Sequence, residues 1–80
     1  MPLRLVFLGR LADVAGAGER EVAAVPSIAA LLAGLEPELS AALGAARIRI
    51  AVNGNVVADR AMFTLRDGDE VAFLPPVSGG

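Results

Sequence analysis

The chain ends in Phe73-Leu74-Pro75-Pro76-Val77-Ser78-Gly79-Gly80, and this segment holds the residues whose types and spacing could do chemistry. Two consecutive prolines fix φ and force the residue before each of them out of the α region, so the path is extended and stiff. The two glycines carry no Cβ, and the rod thins to bare backbone that fits a narrow channel. At its tip it presents the α-carboxylate of Gly80, ionised at neutral pH with a reference pKa of about 3.3–3.7. A carboxylate is a poor electrophile, but it can attack an activated phosphate, and once adenylated it is an acyl donor. The competing reading is a frayed end, since termini are commonly disordered and rich in small residues. Pro-Pro, apolar Val77 and Gly-Gly together argue against it, because a disposable tail is more often polar.

Composition narrows the chemistry further by subtraction. The 80 residues include no Cys, His, Lys, Trp or Tyr. That excludes a thiolate nucleophile, a Cys-based zinc site, a Ser–His base, a Schiff base and a P-loop lysine. What remains is nine carboxylate side chains, seven Arg and a few hydroxyls. Asp67, Asp69 and Glu70 lack the third acid and the distant Glu of a calcium loop, so Asp67-Gly68-Asp69 reads as a turn and no metal site is expected. A net charge of −2 with scattered Arg gives no basic patch for nucleic acid. The longest uncharged run, residues 22–35, is broken by Pro26 and too short to span a bilayer. No signal peptide is evident, so the expected location is cytoplasmic. The 55% apolar content is high for one small domain and suggests a face kept for a partner. Phe73, Leu74 and Val77 are the apolar candidates for it, with core the favoured place for Phe73. Arg10 anchors either a local insert or a partner. Arg47 and Arg49 read equally as a solvated sheet face or a dock for an acidic partner.

Several elements must hold that tail. Leu3–Leu8 is apolar on both faces and reads as a central strand buried on both sides. Gly9 breaks it, Arg10–Val14 reads as a short helix, and Glu19–Val25 as a second, more polar strand. Ser27 is a good N-cap. Ile28, Leu31, Leu32 and Leu35 then recur at i, i+3, i+4 and i+7, the stripe of a helix lying on a sheet. A second helical piece begins at Pro37 and stops at Gly44. In Arg47–Val52, Ile48, Ile50 and Val52 point inward. Asn53-Gly54 signals a hairpin. Residues 59–65 carry no clear period, with Met62, Phe63 and Leu65 expected in the core. Glu70–Leu74 is the last strand, ended by Pro75. This order predicts an α+β roll, a mixed sheet with one main helix across one face and a short helical insert after the first strand. It matches the β-grasp, or ubiquitin-like, order. The domain is residues 1–74 and the tail 75–80.

Leu65-Arg66-Asp67-Gly68-Asp69-Glu70-Val71-Ala72-Phe73-Leu74-Pro75-Pro76-Val77-Ser78-Gly79-Gly80 resembles the C-terminal signature of the molybdopterin synthase small subunits, the MoaD family. Phe7-Leu8-Gly9-Arg10-Leu11 resembles the family's helical insert, and Val52-Asn53 its hairpin entry. The likeness spans essentially the whole chain, departing at Leu11-Ala12-Asp13 and in an Ala-rich, Lys-free helical region. It implies a sulfur carrier that is not catalytic alone. An E1-like enzyme using MgATP adenylates Gly80, a sulfur-relay enzyme converts it to a thiocarboxylate, and the tail donates sulfur to a pyranopterin precursor in the large subunit of a heterotetramer. Pro75, Pro76, Val77, Ser78 and Gly79 thread the channel; this chain binds no cofactor of its own. With no Cys to carry a persulfide, the C-terminus is the place for sulfur. The alternatives are a carrier for thiazole or cysteine synthesis, a ubiquitin-like modifier, and an interaction domain with an inert tail.

Overall fold

The computed structural model describes residues 1–45, 47–60 and 62–76. Eight elements follow in the predicted order: β1 (Leu3–Phe7), α1 (Leu11–Ala15), β2 (Glu19–Val22), α2 (Ile28–Ala33), α3 (Pro37–Leu43), β3 (Arg49–Val52), β4 (Asn55–Val56) and β5 (Glu70–Leu74). The five strands form one mixed sheet in the order β2-β1-β5-β3-β4. β5 is its centre, parallel to β1, with Phe7 beside Phe73, and antiparallel to β3, with Arg49 beside Leu74.

Period-2 alternation puts Leu3, Leu5, Phe7, Ile50, Val52, Val71 and Phe73 on one face, all buried. Against that face lie Leu11 of α1, Ile28 and Leu31 of α2, Leu35, and Leu39 and Leu43 of α3. Each such side chain withdrawn from water contributes about 1.5–3 kcal/mol. The expected N-cap is present: Ser27 is extended, and its hydroxyl accepts a hydrogen bond from the Ala30 N–H at 3.1 Å. In place of one main helix, α2 has six residues and α3 seven. Pro37 restarts the helix, and Arg20 of β2 pins that junction through Glu36, with N–O distances of 2.9 and 3.2 Å.

The hairpin forms as its sequence requires, with Asn53 at φ 51° and Gly54 at φ 86°, both positive as a type I′ turn demands. Asn53 also ties that turn to β5. Its Nδ2 donates to Asp69 Oδ1 at 2.9 Å, and its Oδ1 accepts from the Glu70 N–H at 3.0 Å.

Three expectations are corrected. All three helices pack on the same side, so β1 is buried on one face only; Val6 is half-buried and Leu8 is 41% exposed. Met62 is 79% exposed, whereas Leu65 is buried and Phe63 packs at the core's margin. The described residues 57–60 and 62–69 form no strand or helix and are tied to the rest by scattered contacts such as the bridge between Ser27 and Thr64, so hydropathy alone did not set which side chain turned inward. The third, Phe73, bears on the site. Strand ends also differ slightly: β2 stops at Val22 and β3 starts at Arg49. Among the described residues no helix is long and apolar enough to cross a membrane.

Candidate functional site

The tail's base is set by the central strand. β5 is paired with β1 through Phe73 and with β3 through Leu74, and Pro75 and Pro76 continue from it. The parallel partner prepares the exit. Leu8 N–H donates to the Phe73 carbonyl at 3.1 Å, and Gly9 then stands opposite Pro75. Gly9 has φ +56°, and a Cβ built on it would sit 3.0 Å from Pro75 Cγ. Glycine is therefore favoured there twice over, by its backbone and by the proline ring beside it. Half-buried Pro75 rests on that bare backbone while Pro76 is exposed.

Phe73 is fully buried and stacks on Phe7, with ring centroids 5.7 Å apart and planes 11° from parallel. It is core and is removed from the expected partner-binding set, because a ring wholly inside the domain offers no surface. Leu74 is half-buried and, one residue on, faces the open side of the sheet. With exposed Leu8, half-buried Val6 and exposed Val56 it makes an apolar strip beside the tail's base. Arg10 is exposed at the start of α1 and gives that helix no side-chain cap. Val77, Ser78, Gly79 and Gly80 lie outside the described residues.

Charge is divided along the same open face. Where β5 begins lie Asp67, Asp69, Glu70 and, opposite on β2, Glu21 and the Arg4–Glu19 ion pair. Asp69 is held below the usual carboxylate range by the Asn53 amide and then by the Arg66 backbone N–H, which it accepts at 2.9 Å. Where β5 ends the neighbours are cationic. Arg49 is paired with Leu74, Arg47 lies two residues before it, and Arg60 donates to the Ile48 carbonyl at 2.6 Å. Sequence reading found Arg47 and Arg49 but missed Arg60, which lies in the aperiodic segment. It also missed Gly9 against Pro75, a contact revealed by the parallel placement of β1 beside β5. Among the described residues no three acidic, His or Cys side chains are grouped to hold a metal.

What the described residues supply at this end of the sheet is a proline base, Pro75 and Pro76, continuing from the central strand. Comparison with known proteins identifies the family. The model of the ThiS family matches residues 5–80. The molybdopterin synthase sulfur carrier subunit of Escherichia coli K12 is 35% identical over 82 residues, covering 98% of this chain and 99% of that protein. The solution structure of small archaeal modifier protein 1 from Methanosarcina acetivorans is 27% identical with a TM-score of 0.79, covering 99% and 96% of the two chains. A chain in the complex of subunits 1 and 2 of molybdopterin-converting factor from Helicobacter pylori is 27% identical with a TM-score of 0.70, and both chains are covered in full. With its sheet order, its insert after β1 and its full-length match, this chain is a ubiquitin-like β-grasp protein and belongs to the ThiS family.

Proposed function

We propose that this chain is the sulfur-carrying small subunit of a molybdopterin synthase. The observation that carries the reading is the 35% identity, over nearly the whole of both chains, to the Escherichia coli sulfur carrier subunit. In this reading the Gly80 carboxylate attacks the α-phosphorus of MgATP held by an E1-like enzyme. Pyrophosphate leaves and Gly80 becomes an acyl-adenylate. A sulfur-relay enzyme replaces AMP with sulfide, leaving a thiocarboxylate. The tail then enters the large subunit and gives its sulfur to the pyranopterin precursor. Acids, bases and oxyanion donors belong to the partners, since the chain has no His, Cys or Lys. Its own contribution is positional: Gly79 and Gly80 thread the channel, Pro75 and Pro76 hold the rod extended, and Leu8 and Leu74 give the large subunit an apolar landing strip.

The test is the mass of the C-terminal peptide from protein purified from its own host, then pyrophosphate exchange with MgATP and the host's E1-like enzyme. Sulfur localised to Gly80 is the expected result; localisation matters because a sulfoxide at Met1 or Met62 shifts the intact mass almost identically. A chain whose Gly80 carries no sulfur and supports no exchange sinks the reading. A second reading, a protein modifier, is favoured by the likeness to small archaeal modifier protein 1. It shares adenylation and predicts covalent adducts on target lysines instead of sulfur transfer.

A further inference from the structure

Beside the tail's base the sheet carries a groove of about 630 Å³, open to solvent, between the start of β3 and the chain after β4. Arg47, Arg49 and Arg60 line it together with Val56 and Pro76. Arg47 and Arg49 form no ion pair among the described residues, in contrast to Arg4 and Arg20. Arg60 spends one N–H on the Ile48 carbonyl, which fixes its head group at the groove and leaves further donors of the guanidinium fork. Even counting Asp59, the chain neighbour of Arg60, guanidiniums outnumber carboxylates three to one here, in a molecule whose net charge is −2.

We infer that this groove receives an acidic segment of the enzyme that activates the Gly80 carboxylate. The inference rests on the proposed function and adds a recognition site to it. The charge and shape call for carboxylates flanked by an apolar residue: three arginine forks for the acids, Val56 for the apolar contact. The position selects the partner. Any use of an ionised carboxylate as an acyl donor begins with its activation, so the activating enzyme is the first protein to close around the tail. The four residues beyond Pro76 extend at most about 14 Å. A partner gripping Gly80 in a channel therefore has its channel mouth at Pro76, against this groove. The nucleotide reacts with Gly80, four residues beyond Pro76, so the anion proposed here is a carboxylate of the enzyme and not the nucleotide's phosphate.

The test compares the wild-type chain with the double reversal Arg47→Glu/Arg49→Glu in pyrophosphate exchange with the activating enzyme, across ionic strength. Arg60 is left in place because it holds the Ile48 carbonyl, and far-UV circular dichroism checks that the variant is folded. The expected result is a KM for the carrier raised at least about tenfold at low salt, with kcat within twofold. Salt should weaken the wild type and flatten the difference. A KM within twofold of wild type overturns the inference and leaves the proposed function standing. A change in KM for ATP with none for the carrier also overturns it, because the groove then holds a phosphate. No exchange by the wild-type chain overturns the function and this inference with it. Should the double variant fail to fold, Arg49→Gln alone, read as loss of salt dependence, decides the matter.

Discussion

Phe73 separates a structural role from a recognition role, and Phe73→Leu tests which it has. The ring is wholly buried and stacked on Phe7. Leucine keeps the site apolar and near the original volume, so the loss has two parts. The aromatic pair is worth about 0.5–1.5 kcal/mol beyond its area. The imperfect fill left by a branched side chain adds roughly 1 kcal/mol. The sum is about 2 kcal/mol, a large share of the roughly 4–12 kcal/mol available to a domain this size. It lowers Tm by about 8–16 °C. With no Trp or Tyr in the chain, intrinsic fluorescence is a poor probe, and urea unfolding followed by far-UV circular dichroism gives the number. A cycle with Phe7→Leu isolates the pair and should return a coupling of about 0.5–1.5 kcal/mol. Below the melting range, exchange with the activating enzyme should be unchanged. A stability loss under about 0.5 kcal/mol would refute the packing argument. A raised KM at unchanged stability would return Phe73 to the partner surface.

Four shorter predictions accompany it. Gly9→Val places a β-branched side chain at φ +56° against Pro75 and should cost about 1–2 kcal/mol or more in urea unfolding, whereas Gly9→Asn, tolerant of that backbone, costs less. Ser27→Ala removes the α2 cap and should cost about 1 kcal/mol, a Tm drop of about 4–8 °C. The folded-state pKa of Asp69 is depressed by Asn53 and the Arg66 N–H, so its stabilisation is present above the unfolded value near 4 and is lost as pH falls through the folded value. The stability gap between wild type and Asp69→Asn should therefore be widest at neutral pH and narrow as acid is added. Gly79→Trp should block pyrophosphate exchange while leaving the melting curve unchanged; unchanged exchange would refute the narrow-channel argument.

How much was legible depended on how local the cause was. Ser27 capping α2, Asn53-Gly54 turning the hairpin and Asp67-Gly68-Asp69 leading into β5 are decided within three or four residues, and the sequence shows them directly. The element order followed from such signals. Burial of β1 on both faces did not hold, because Leu3–Leu8 reports that both faces are apolar and not what covers them. Here no helix covers the second face, and Leu8 is left beside the tail as surface. Met62 failed for a related reason: in chain without a repeating period, neighbours distant in sequence choose which side chain is buried. The Asn53 clamp on β5 and the meeting of Arg47, Arg49 and Arg60 are contacts across the fold, invisible until the strands are placed. The proposed role of the tail rests on Pro-Pro, Gly-Gly and a terminus alone, and residues 77–80 lie outside the described residues.

The parallel pairing of β1 with β5 has a mechanical consequence. A partner that draws the tail into a channel would pull along β5, the central strand, hydrogen-bonded to β1 on one flank and to β3 on the other. Against an anchored N-terminus, that pull tries to slide β5 past β1 along their common direction, loading a whole ladder of hydrogen bonds in shear at once. A hairpin tugged at its open end gives way one bond at a time. Here the rungs share the load, with the Phe7–Phe73 stack lying across the slip plane. Force on the tail would thus be spread through the sheet's centre, and the domain would resist being unravelled from that end.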